Sequence, residues 1–286
     1  MSKFTDYAEN KIADYLRGQG LTLPDSWWLA ALTAASDSSV TENAAGLSRF
    51  EIPRALADWA GTQGAGTTLV SNGTSHTTSN NAEADLGTAH TPVTVTHIGL
   101  YDDDTAGNCW MYWQLETPLD MVYADPLVLD AGRVQFMLGN TGGCTDYLSN
   151  KLIDLIFRGQ AFAWPATIYT GAFTVAPTNA GGGTEVGGGV GYARGSIVPS
   201  LANISGTQGA GTTVASNGTG GRISNNIAVA HPTPTGNWGT IVAGGLFDAS
   251  SGGNLLFWHA LNSPTSVSLG SPAPTYQPDA LGITVA

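Results

Sequence analysis

Gly61–Thr68 reads GTQGAGTT, and Gly206–Thr213 reads GTQGAGTT again; each octet is followed two residues later by SNGT, at Ser71–Thr74 and Ser216–Thr219. Working outward, TDYAENK (Thr5–Lys11) is answered by TDYLSNK (Thr145–Lys151), and GLSRFEI (Gly46–Ile52) by GYARGSI (Gly191–Ile197). SNN recurs at Ser79–Asn81 and Ser224–Asn226, and GLYD (Gly99–Asp102) returns as GLFD (Gly245–Asp248). The order is kept while the spacing drifts by a few residues, which is the mark of loop insertions between two copies of one fold. The expected division is residues 1–140 and 141–286, joined near LGNTGGC (Leu138–Cys144), where glycines and a turn-prone Asn-Thr suit a short linker.

Each copy opens on a helix. In the first, Thr5 or Asp6 can cap, Glu9 stands three residues after Asp6 as in a capping box, and Ala8, Ile12, Tyr15 and Leu16 form an apolar stripe. Arg17-Gly18 then places a cation at the negative helix pole and a glycine beyond it. Leu148, Leu152, Leu155, Ile156 and Arg158-Gly159 repeat this logic, and each stripe is expected to lie on the copy that the helix leads. The remainder is β in character. SWWLAALT, TVTHIGLYD, CWMYWQLE and RVQFML, then ATIYTGAFT, TIVAGGLFD, NLLFWHAL and LGITV, are short apolar runs punctuated by Gly, Pro, Asn and Asp. The expected fold is mainly β: two tandem antiparallel sandwich or barrel-like domains, each preceded by one helix. The octet falls between strands and is expected to form an ordered, protruding loop.

The chain has 286 residues and a formal charge of −12, with only 11% charged residues against the usual ~25%. Lys3, Lys11 and Lys151 and seven arginines are scattered singly. Nucleic acid and anionic membranes, which require clustered cations, are therefore not expected as partners. The start of the chain has no apolar signal-like stretch, so synthesis in the cytosol is expected. Cys109 and Cys144 make at most one bridge and lack zinc spacing; two reduced or buried thiols is the plainer reading.

The second copy resembles the phage tail-fibre-like virion structural proteins. The resemblance rests on TDYLSNKLID (Thr145–Asp154), APTNAGGGTEVGGGVGYAR (Ala176–Arg194), SNNIAVAHPTPTGNWGT (Ser224–Thr240) and GLFDASSGGNLLFWHAL (Gly245–Leu261). The first copy lacks the glycine-rich stretch, having SDSSVTENAAG at Ser36–Gly46. The resemblance implies a virion location and a structural, non-enzymatic part of the particle, tail- or fibre-associated or decorating it, that docks onto other virion proteins and self-associates. Decoration of the head lattice and a host-surface, carbohydrate-binding adhesin are the alternatives. No coiled-coil or collagen period is written, so a compact module is expected rather than a shaft.

Catalytic constellations are weakly signalled. Asp102, Asp103 and Asp104 are the densest acidic cluster, but only Asp102 has a counterpart, Asp248, and a turn explains one Asp there as well as an ion does. His76, His90, His97, His231 and His259 have no i+4 partner, and neither G-x-S-x-G nor a P-loop is present. No cofactor and no metal is expected. Glutamates such as Glu42, Glu51 and Glu116 sit in polar stretches, and most tryptophans lie in apolar strands, where packing is the simpler account than a sugar platform. The expected partner contacts are Gln63, Thr67, Gln208 and Thr212 in the octets, with Trp59 and Trp238 as loop-borne aromatics.

Overall fold

The computed structural model describes residues 2–42, 45–138 and 143–285. Most of the expected join, and the border at 140/141, lie outside the described residues. The first copy runs β1 (Ser2–Phe4), α1 (Asp6–Leu16), β2 (Ser26–Ser36), β3 (Ser39–Glu42), β4 (Phe50–Pro53), β5 (Thr77–Ser79), β6 (Ala84–Thr88), β7 (Val93–Tyr101), β8 (Cys109–Met121), β9 (Pro126–Leu129) and β10 (Gln135–Met137). The second runs α2 (Asp146–Arg158), β11 (Ile168–Val175), β12 (Thr184–Glu185), β13 (Gly195–Ile197), β14 (Arg222–Ser224), β15 (Val229–Ala230), β16 (Gly239–Phe247), β17 (Leu255–Val267), β18 (Thr275–Tyr276) and β19 (Gly282–Thr284).

The main sheets match. One is ordered β1-β8-β7-β2-β3 with β4 also on β2, and the other β12-β11-β16-β17 with β13 also on β11. Every pairing is antiparallel; Leu29 lies opposite Leu100 in one sheet and Thr170 opposite Leu246 in the other. Two small ladders complete each copy, β5–β10 with β6–β9 and β14–β19 with β15–β18. Among the described residues no sheet closes into a barrel. The β7–β8 connection is closed by Asp102, whose Oδ1 accepts the Asn108 amide at 2.6 Å; Asp248 and Asn254 repeat the bond at 2.6 Å. The carboxylate spares a turn amide from being left unpaired, which is why Asp recurs at this place.

Both helices start on their own sheet. Thr5 caps α1, accepting from the Ala8 amide and donating to the Cys109 carbonyl, and Thr145 caps α2 while donating to the Leu255 carbonyl. With Thr5 as the cap, Glu9 lies one residue past the capping-box position, so the expected box does not form.

The helices end on the opposite copy. Phe157 of α2 sits among first-copy aromatics, 5.2 Å from Trp59, 5.7 Å from Phe136 and 6.3 Å from Trp27 between ring centroids. Trp27 Nε1 also donates to the Ile156 carbonyl at 2.8 Å. One buried cluster therefore runs through both copies, including Ile12 and Leu16 of α1 with Ile204, Ile223 and Val285 of the second copy. The expectation that each stripe rests on the copy its helix leads is corrected: the two copies fold alike but exchange helix ends. The physical reason is area, since a short helix with one apolar face gains most by lying in a seam apolar on both sides.

Candidate functional site

The repeated octets form the receiving half of the two exchanged junctions. Arg158, the last residue of α2, is fully buried beneath the first octet. Its Nε donates to the Trp59 carbonyl at 2.9 Å, its Nη2 to the Thr67 and Leu69 carbonyls at 3.2 and 2.7 Å, and its Nη1 to Ser71 Oγ at 3.0 Å and Asp154 Oδ1 at 2.6 Å. Arg17 makes the corresponding set beneath the second octet. Nε reaches the Ile204 carbonyl at 2.9 Å, Nη2 the Leu201 carbonyl at 3.3 Å, and Nη1 the Val214 carbonyl at 3.0 Å, Ser216 Oγ at 3.2 Å and Asp14 Oδ1 at 2.7 Å. A planar guanidinium suits this position because its fork reaches several carbonyls at once and each buried donor finds a partner.

The neighbouring polar residues repeat as well. Asp154 accepts from the Ser71 amide at 2.9 Å, and Asp14 from the Ser216 amide at 3.1 Å. Asn150 Nδ2 donates to the Gly73 carbonyl at 3.1 Å while its Oδ1 accepts from Thr62; Asn10 does the same with Gly218, at 3.1 Å, and Thr207. The glycines of the quoted motif follow from this crowding. A Cβ at Gly73 would stand 2.2 Å from the Thr62 carbonyl oxygen, and one at Gly218 2.3 Å from that of Thr207. Gly159 and Gly18, just past the helices, combine positive φ (+70° and +78°) with a Cβ position 2.4 Å from the Arg54 oxygen and 2.7 Å from the Pro199 oxygen.

A second arginine fork recurs at the far end of each main sheet. Arg49 grips Glu42 at 2.9 and 2.7 Å and lies 3.7 Å over the Tyr101 ring; Arg194 grips Glu185 at 2.8 and 2.7 Å and lies 3.3 Å over Phe247. Burial raises the Glu185 carboxyl, but hydrogen bonds from Arg194 and Tyr192 outweigh it and hold the group below its usual range. The first copy, lacking the glycine-rich stretch, thus keeps the same fork by another route. Both carboxylates brace turns, and Glu185 is held in its charged form by the fork that grips it.

The sequence-predicted contact residues fall in two groups. Gln63 and Gln208 are exposed but fold back, Nε2 donating to the Val70 and Ala215 carbonyls at 2.8 and 2.7 Å. Thr67 and Thr212 likewise close their own loops on Gly64 and Gly209 at 2.7 and 2.6 Å. Trp59 and Trp238 are buried, Trp59 against Phe157 and Phe136 and Trp238 against Tyr192, so the expectation that these loop rings face outward is corrected. A large ring in a loop gains more from the apolar side chains beneath it than from water above. Each loop is open on its outer side just past the octet, where Leu69, Val70 and Val214 are 71%, 49% and 60% exposed.

Elsewhere, Asp102 and Asp103 are occupied with amides of their own turn, and no group of three His, Cys, Asp or Glu that could hold a metal gathers among the described residues. His76 Nε2 lies 2.8 Å from Asp146 Oδ1 across the junction. Cys109 and Cys144 are free thiols, both pushed up to about 12 by burial. No helix is long and apolar enough to cross a membrane among the described residues. Reading the residues in sequence missed Arg17, Arg158 and their Asp and Asn neighbours as a set. The available signal was that Asn10, Asp14 and Arg17 recur as Asn150, Asp154 and Arg158 on one helix face.

No match is found among curated proteins. A family model described as Podophage GP4 fiber I protein gp80 matches the chain twice, over residues 3–137 and 143–284. These two matches span nearly the whole sequence and coincide in order with the two like-folded copies, and the chain belongs to this podophage fibre protein family as a tandem duplication.

Proposed function

We propose that the chain is a non-enzymatic structural component of the virion that docks onto other virion proteins through the outer sides of its two repeated loops. The observation that carries this is the division of labour within each loop, formed by an octet and the residues that follow it. The inner side is fixed by a buried arginine, while Leu69, Val70 and Val214 stand exposed at related places. Apolar groups held on ordered backbone lose little entropy when covered, which is what a docking surface needs. Gln63, Thr67, Gln208 and Thr212 serve this reading as the bonds that shape the loops. A glycan-binding reading built on Trp59 and Trp238 loses its aromatic platform, because both rings are covered.

The test is electron imaging of particles assembled with the wild-type chain or with Leu69→Ser, Val70→Ser and Val214→Ser combined. Density present in wild-type particles and lost in the variant, with thermal unfolding of the purified variant unchanged, supports docking through the loops. Full incorporation of the variant refutes it, and wild-type density on the head lattice selects the decoration alternative.

A further inference from the structure

The two junctions differ at one matched pair of positions. Where the first copy has His76, the second has Gly221; where α2 has Ser149, α1 has Glu9. Glu9 is 4% exposed, and its Oε2 has no hydrogen-bond partner. The Gly220 backbone amide, like Lys3, favours the charged form of the carboxyl. Gly221, at φ +59°, makes the room: a Cβ there would be 1.8 Å from the Val285 oxygen and 3.0 Å from Glu9 Oε2. Burial, then Asp6 of the same helix and Asp37 of the β2–β3 turn, raise the carboxyl from 4.5 to about 7, with Lys3 of β1 opposing. Tyr112 is bonded to Asp37, and on the second copy's side Arg222 is turned to Asp279 at 2.7 Å, so neither supplies a counter-charge.

We propose that Glu9 makes the junction of α1 with the second copy a proton-dependent clasp. With its carboxyl protonated by solvent, α1 stays seated on the Gly220–Gly221 turn; once the proton returns to solvent, an unpaired carboxylate in the seam loosens that junction. The α2 junction, with Ser149 at the matching position, does not share this response. The sign follows from linkage. The seated state holds the proton more tightly than the open state, so opening rises as pH climbs from about 4.5 to about 7 and then levels off.

The experiment is amide hydrogen exchange on the full chain between pH 5 and pH 8, with exchange times scaled to intrinsic rates, for the wild type and Glu9→Gln. In the wild type, opening of residues 206–222 is expected to rise about fortyfold from pH 5 to 7, set by that proton linkage, and to be flat in Glu9→Gln. Residues 61–77 are expected to respond identically in both proteins. An unchanged pH response at 206–222 in Glu9→Gln, or none in the wild type, overturns the proposal. Should the variant not fold, carbon NMR of the wild-type glutamate carboxyls decides: the clasp requires one to titrate near pH 7 together with the Gly220 and Gly221 amides. Titration of all of them near 4.5 overturns it.

Discussion

Arg158→Ala removes the guanidinium that holds the first octet to α2, and its cost can be worked from the geometry. Asp154, 3% exposed, loses its ion partner, and the carbonyls of Trp59, Thr67 and Leu69 lose their donors. Breaking a buried ion pair from one side costs ~3–5 kcal/mol, because the remaining charge is left uncompensated. Some of the loop carbonyls regain water at the octet surface, so about 4 kcal/mol is the expected loss. With a urea m-value of about 3 kcal/mol/M, the unfolding midpoint falls by about 1.3 M. Arg158→Lys keeps the charge beside Asp154 but cannot span the carbonyls on the other side, and about 2 kcal/mol is expected. The double variant Arg158→Met with Asp154→Leu removes both charges and should be more stable than Arg158→Ala by about 1–2 kcal/mol. Arg17→Ala should cost less than Arg158→Ala, since Asp14 is 17% exposed and keeps some solvation. The assay is urea unfolding of the full chain followed by tryptophan fluorescence. A loss below about 1 kcal/mol for Arg158→Ala, or a lysine variant equal to wild type, refutes the reasoning.

Further outcomes follow from single contacts. Gly73→Ala drives a Cβ into the Thr62 carbonyl and should cost ~1–3 kcal/mol by overpacking, whereas Gly20→Ala meets nothing within 4 Å and should be close to neutral in the same unfolding assay. Trp59→Ala should destabilise by ~3–5 kcal/mol through the cavity it leaves; Trp59→Phe should cost much less, because Trp59 Nε1 has no hydrogen-bond partner to lose. Cys109 and Cys144, with thiols pushed up to about 12, should react slowly with a disulfide reagent at pH 8 and both promptly in denaturant. Fast reaction of the native protein would contradict their placement.

The repeat, the β content and the helix starts were legible because each rests on local chemistry. Thr5 and Thr145 cap where a short hydroxyl residue precedes an apolar stripe, and the runs from TVTHIGLYD to RVQFML are strands β7, β8 and β10. The helix exchange was not legible, because an apolar stripe says that a helix must be covered and not by which of two like surfaces. Arg17 and Arg158 fit a helix-pole reading equally well, and only tertiary placement sends their forks into the opposite octet. Trp59, set in LADWAG just after an aspartate, shows no strand or helix period that marks a buried residue in sequence, and it is covered by Phe157 from the other copy. Glu9 shows the same limit: Thr5 rather than Asp6 is the cap, and the glycine beside its carboxyl, Gly221, lies more than two hundred residues away.

The exchange itself is most directly tested by disulfide trapping. In a Cys109→Ala, Cys144→Ala background, Asn10→Cys is paired either with Thr207→Cys, its hydrogen-bond partner in the second copy, or with Thr62→Cys, the matching residue of the first. Rapid oxidation of the 10–207 pair to a cross-linked monomer, with none for 10–62, is the predicted result. Cross-linking of 10–62 instead, or of 10–207 only as a dimer between chains, would contradict it.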